Sequence, residues 1–94
     1  MTYQIEFPDF DASTMPEIPA DFIDQSWHND VCPSFYNEKL SMTLYVDYAD
    51  KQLREFTNSE RFTLTVIGND NDEVIFETSS DDYDYILSAI ALYR

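Results

Sequence analysis

The sequence predicts an α+β fold: a four-stranded, mainly antiparallel sheet, a C-terminal helix packed on one face, and a short helix in the N-terminal third. Three observations predict it. Several segments before Ser79 alternate apolar and polar residues with period two, whereas the stretch Asp81–Tyr93 switches to helical spacing. All four prolines, Pro8, Pro16, Pro19 and Pro33, fall in one stretch that regular structure must mostly avoid.

Taken in order, Thr2–Phe7 places Tyr3, Ile5 and Phe7 on one face and Thr2, Gln4 and Glu6 on the other, the pattern of a half-buried strand ended by Pro8. Within the proline-rich stretch, Ala20–Trp27 is the expected short helix. Pro19 suits a first turn, Asp21 complements the positive helix end, and Phe22, Ile23 and Trp27 form an apolar stripe. Ser41–Tyr48 reads as a strand with Met42, Leu44, Val46 and Tyr48 inward and Tyr45 and Asp47 outward. Arg61–Ile67 and Glu73–Thr78 repeat the alternation, and Gly68-Asn69-Asp70-Asn71-Asp72 supplies turn chemistry for a hairpin. The connector 50–60 fits either a helical turn or an extension of the strand before it. From Asp81 the stripe Tyr83, Ile86 or Leu87, Ile90 and Tyr93 is helical, with Ser79 and Ser80 as cap candidates and Asp81, Asp82 and Asp84 in the first turn.

Ninety-four residues fit a single domain, 1–94, with no repeat or linker to divide it. Phe, Ile, Leu and Val supply 24 residues, about a quarter of the chain, enough for a modest core. Nineteen acids against five bases give a formal charge of −14. That charge argues against direct binding of nucleic acid or of an anionic membrane and points to a basic partner. It is also segregated. Residues 1–38 hold eight acids and no base, 39–61 balance, and 62–94 hold seven acids against Arg94 alone. Unmixed acids repel one another and weaken the compact state, so two such blocks indicate a functional field.

No enzyme is expected. Gly68 is the only glycine, which removes phosphate-cradling loops, and Cys32 is the only cysteine, which removes a disulfide staple and a four-cysteine zinc site. Met1–Glu6 has no basic residue and no apolar run, so neither an export signal nor a membrane span is expected, and the cytoplasm fits the lone thiol. His28 and Cys32 are four apart but lack an oxyanion loop, and as metal ligands they would need carboxylates to complete the set. No cofactor or metal is expected. Asp70-Asn71-Asp72-Glu73 lacks the spacing of a calcium loop and reads as a turn. Tyrosines interleaved with acids have the composition of a protein-binding surface. The expected contact residues are Asp70, Asp72, Asp81, Asp82, Asp84 and Tyr85, with Tyr45 and Asp47 from the sheet.

In size, acidity and lack of catalytic apparatus the chain resembles phage and mobile-element inhibitors, the anti-CRISPR proteins and other acidic mimics of nucleic acid. The runs Ser26-Trp27-His28-Asn29-Asp30, Pro33-Ser34-Phe35, Val46-Asp47-Tyr48 and Arg61-Phe62 look like small bacterial proteins of mobile elements. The resemblance carries over no functional residue. It implies a stoichiometric inhibitor of a basic, nucleic-acid-binding protein such as a CRISPR-Cas effector, acting in the host cytoplasm if phage-encoded. An immunity or antitoxin protein neutralising a basic toxin is the alternative, and a homodimer is left open.

Overall fold

The structure, a computed structural model, describes residues 2–68 and 73–94. Among these, five strands form one antiparallel sheet whose spatial order follows the chain: β1 (Ile23–Asp24), β2 (Ser34–Asn37), β3 (Met42–Val46), β4 (Phe62–Ile67) and β5 (Val74–Ser80). A short helix, α1 (Tyr3–Glu6), precedes the sheet and a longer one, α2 (Tyr83–Ala91), follows it. The α+β architecture with a C-terminal helix on one face is therefore present, with one strand more than the sequence predicts.

The alternating segments behave as their spacing requires. Leu44 lies opposite Leu64, Met42 opposite Val66, and Val46 opposite Phe62, and all six are buried on the same face. On that face α2 lays down Ile86, Ala89 and Ile90, while Phe7, Phe10, Phe22 and Phe35 extend the core toward β2. Each fully buried Ile or Leu contributes about 1.5–3 kcal/mol relative to exposure. Tyr48 turns inward as expected, its ring 5.3 Å from Phe10. The opposite face carries Tyr36, Thr43, Tyr45, Thr63 and Glu77, half-buried or exposed.

Two expectations fail in the N-terminal third. Thr2–Phe7 is not a strand. Tyr3 and Phe7, four apart, face the core together while Ile5 is 75% exposed, so helical spacing wins over alternation. The Tyr3 N–H, orphaned at the helix start, donates to Asp24 Oδ2 at 2.7 Å. Ala20–Trp27 is extended rather than helical: Ile23 pairs with Tyr36 and Asp24 with Phe35, and Ile23 and Trp27 are exposed. The short N-terminal helix exists, but at Tyr3–Glu6.

The connector 50–60 is neither a helix nor a strand extension as a whole. Asp50 caps a single 3₁₀ turn, Lys51–Leu53, by accepting from Gln52 N at 2.9 Å. Arg54 then folds inward, its side chain only 3% exposed. It donates through Nε to the Tyr48 carbonyl (2.7 Å) and through Nη1 to the Ser59 carbonyl (2.7 Å), so one guanidinium ties both ends of the loop. At the far end of β2, Asn37 Oδ1 accepts from Leu40 N, and Ser41 takes a left-handed backbone, φ 54°, to enter β3. Among the described residues, no helix is long and apolar enough to cross a membrane.

Candidate functional site

The ends of β3, β4 and β5 opposite Ser41 gather several of the acids singled out by sequence. Val46, Phe62 and Ser80 are in register across the three strands, and the next residues continue the row. Asp47 N donates to the Arg61 carbonyl at 2.8 Å, and Arg61 N donates to Asp81 Oδ1 at 2.8 Å. Asp47 and Asp81, distant in sequence, thus flank Arg61 at one end of the sheet. Asp81 also stands 4.0 Å from the Arg54 guanidinium.

Asp82 and Asp84 continue this surface onto α2. Asp82 is the N-cap: its Oδ1 accepts from Asp84 N at 3.0 Å, while its own N–H is taken by Ser80 Oγ. Of the two serine cap candidates, Ser80 contributes through its hydroxyl and Asp82 holds the cap position. Asp84 is exposed in the first turn. Tyr85 is 47% exposed, with its hydroxyl 3.0 Å from Thr78 Oγ1, on the helix side of the sheet. Tyr45 lies on the other face, opposite Thr63, so the site residues wrap around the sheet end rather than share one plane. Asp70 and Asp72 lie outside the described residues.

Beside Asp47 and Tyr45 the loop 55–60 encloses a groove of about 210 Å³. Val31, Cys32, Tyr45 and Phe56 give it apolar walls, and Asp47, Glu55, Glu60 and Arg61 line it as well. Burial raises the Asp47 carboxyl above its ordinary range despite the hydrogen bond from Tyr48 N and the two nearby arginines. Tyr45 is shifted upward by burial and then by the charge of Asp30. Alternation located Tyr45 and Asp47, but Val31, Phe56, Glu55 and Glu60 carried no periodic signal. Their only sequence mark is apolar residues set beside acids in segments without regular structure.

The N-terminal arm runs beside α2 and brings the two acidic blocks together. The Tyr83 hydroxyl donates to the Glu17 carbonyl at 2.9 Å, and Arg94 grips Asp21 through two bonds of 2.6 and 3.0 Å. Burial, and secondarily the Glu17 charge, pushes Tyr83 up to about 12. The Arg94 hydrogen bond draws Asp21 down to about 2. Arg61 joins the arm to the sheet end by donating from Nη2 to the Thr14 carbonyl at 2.8 Å and from Nε to the Asp47 carbonyl at 3.1 Å.

Cys32 and His28 do not meet. Cys32 is 3% exposed and burial, followed by the charges of Asp47 and Asp30, pushes its thiol up to about 12, which keeps it protonated and poorly nucleophilic at neutral pH. His28 instead places Nδ1 2.9 Å from Glu6 Oε1, which also accepts from His28 N, and its ring lies against Trp27. Among the described residues, no three His, Cys, Asp or Glu side chains are grouped so as to hold a metal ion. Comparison of the chain with protein-family models, with curated proteins and with solved structures gives no match.

Proposed function

We propose that this chain is a non-catalytic, stoichiometric inhibitor that binds a basic, nucleic-acid-binding protein, such as a CRISPR-Cas effector, and blocks its DNA or RNA site by charge mimicry. One observation supports this above the others: the arginines of the electrically balanced middle segment face inward. Arg54 is buried on carbonyl oxygens and Arg61 is half-buried on two more, so of the four bases in 39–61 only Lys39 and Lys51 are exposed beside Asp50, Glu55 and Glu60. Among the described residues fourteen carboxylates are exposed, against Lys39, Lys51 and Arg94. Arg94 is already paired with Asp21. The buried arginines still count in the long-range field, but a partner touching the surface meets carboxylates.

Duplex DNA presents one negative charge per roughly 1.7 Å of axis, and a groove lined with Arg and Lys to receive it would accept carboxylates mounted on a rigid sheet end and helix. Asp47, Asp81, Asp82 and Asp84 are so mounted. The setting would be the cytoplasm, where such effectors act. The test is capture from a bacterial lysate on the immobilised chain at about 50 mM salt, followed by a challenge with duplex DNA and with RNA. The captured protein should bind nucleic acid by itself and be released by it. A captured protein that holds the chain and nucleic acid simultaneously contradicts charge mimicry, and a toxin indifferent to nucleic acid moves the function to immunity.

A further inference from the structure

We propose that the groove between Val31 and Phe56 receives the side chain of one arginine presented by the basic protein partner. The inference rests on the charge reading above and assigns it a specific anchor. The groove's volume of about 210 Å³ lies below the roughly 300–1,000 Å³ of sites for drug-sized ligands, and matches a single side chain rather than a cofactor. Its walls and rim divide the work as an arginine requires. Val31 and Phe56, 51% and 67% exposed, offer apolar surface to the aliphatic stem, and Phe56 and Tyr45 put two aromatic rings in the lining, the residue type that attracts a guanidinium.

The rim fixes the sign of the occupant. Asp47, Glu55 and Glu60 contribute three carboxylates, against which stand Arg61 in the lining and, beside Asp47, the buried Arg54. Arg61 has already directed Nε and Nη2 at the Asp47 and Thr14 carbonyls, and its guanidinium carbon lies 5.0 Å from the Phe62 ring centroid. Asp47 is a half-buried carboxylate whose Oδ1 accepts from Tyr48 N, so a cation delivered there meets a charge that water solvates poorly. A planar guanidinium can stack on an aromatic wall and fork onto carboxylates at once, which a lysine ammonium cannot. Exposed Phe56 in a loop pinned by Arg54 is then an anchor residue rather than a stray apolar side chain.

The experiment is a titration of the isotope-labelled protein with blocked tetra-arginine peptide, with tetra-citrulline as the uncharged control, read from backbone amide shifts. Tetra-arginine should move Val31, Tyr45, Phe56 and Ser59, and tetra-citrulline should not. Phe56→Ala and Glu60→Gln, both at exposed positions, should each weaken the interaction by about fivefold to tenfold while the remaining spectrum stays unchanged. Shifts confined to Asp82 and Asp84, with the groove silent, overturn the groove while leaving the acidic-surface reading intact. Equal shifts from tetra-citrulline also overturn it, since the groove would then select shape and not charge. No shift anywhere from tetra-arginine overturns the charge reading itself.

Discussion

Two irregular segments flank the sheet, the N-terminal arm before β2 and the loop between β3 and β4, and they are secured by opposite means. The arm is held by distributed contacts: Phe7, Phe10 and Phe22 are buried, Asp24 accepts from Tyr3 N and Ser26 N, and Glu6 accepts from His28. The loop has its own small caps, Asp47 on Tyr48 N and Asp50 on Gln52 N, but what ties its two ends together is Arg54, donating to the carbonyls of Tyr48 and Ser59. The arm spends acids on its own backbone N–H groups. The loop spends a base on its own carbonyls. Only the second choice makes the surface more acidic than the sequence count, and it is the loop that builds the groove.

The largest effect that would sharpen this contrast is in the arm. Phe10→Ala removes a buried ring packed on Tyr3 and Tyr48 and should cost about 3–5 kcal/mol, seen as a lower denaturant midpoint of the whole domain. Arg54→Met should cost less, about 2 kcal/mol, and chiefly locally. Amide exchange should accelerate in 48–60 while the β3 and β4 amides stay protected, and Arg54→Lys should not restore the loop because an ammonium lacks the fork. Global unfolding by Arg54→Met at the same denaturant shift as Phe10→Ala would erase the distinction.

Asp47→Asn separates function from stability. Because burial raises the Asp47 carboxyl, its charged form opposes folding at neutral pH, and that penalty lessens as pH falls through the raised value. An asparagine can keep the Tyr48 N–H bond while removing the charge. Stability should therefore hold or rise while affinity for a cationic partner falls; a destabilised variant with unchanged affinity would make Asp47 purely structural.

A smaller effect concerns Asp21, whose carboxyl Arg94 lowers to about 2. Its folded value lies below the unfolded value of about 3.9, so its stabilisation is present above that unfolded value and is lost as pH falls toward 2. Arg94→Met should flatten the acid limb between about pH 4 and pH 2, as measured by thermal melts across that range. Smallest is Ser41→Gly. Relief of a left-handed residue is offset by the entropy of glycine, leaving a gain of about 0.5–1 kcal/mol.

The sheet centre and α2 were legible in the sequence because their apolar spacing is unambiguous, as in Met42-Thr43-Leu44-Tyr45-Val46. The arm was not, because Tyr3, Ile5 and Phe7 satisfy alternation, whereas Tyr3 and Phe7 also satisfy helical spacing; only the choice of which to bury separates the two. β2 escaped notice because it directly follows Pro33 and one of its buried core-facing positions is polar Asn37. At the candidate site, Tyr45, Asp47 and the Asp81–Asp84 acids could be read from sequence. That Arg54 and Arg61 face inward could not, since charge counting is blind to direction, and Val31 and Phe56 meet only through the fold.

The most direct test of an acidic surface that recognises a basic nucleic-acid site is the association rate with the captured partner at about 50 mM and about 500 mM salt, where the Debye length shortens severalfold. The rate should fall at least tenfold, with nucleic acid competing at the lower salt. An association rate unchanged between the two would contradict recognition by charge.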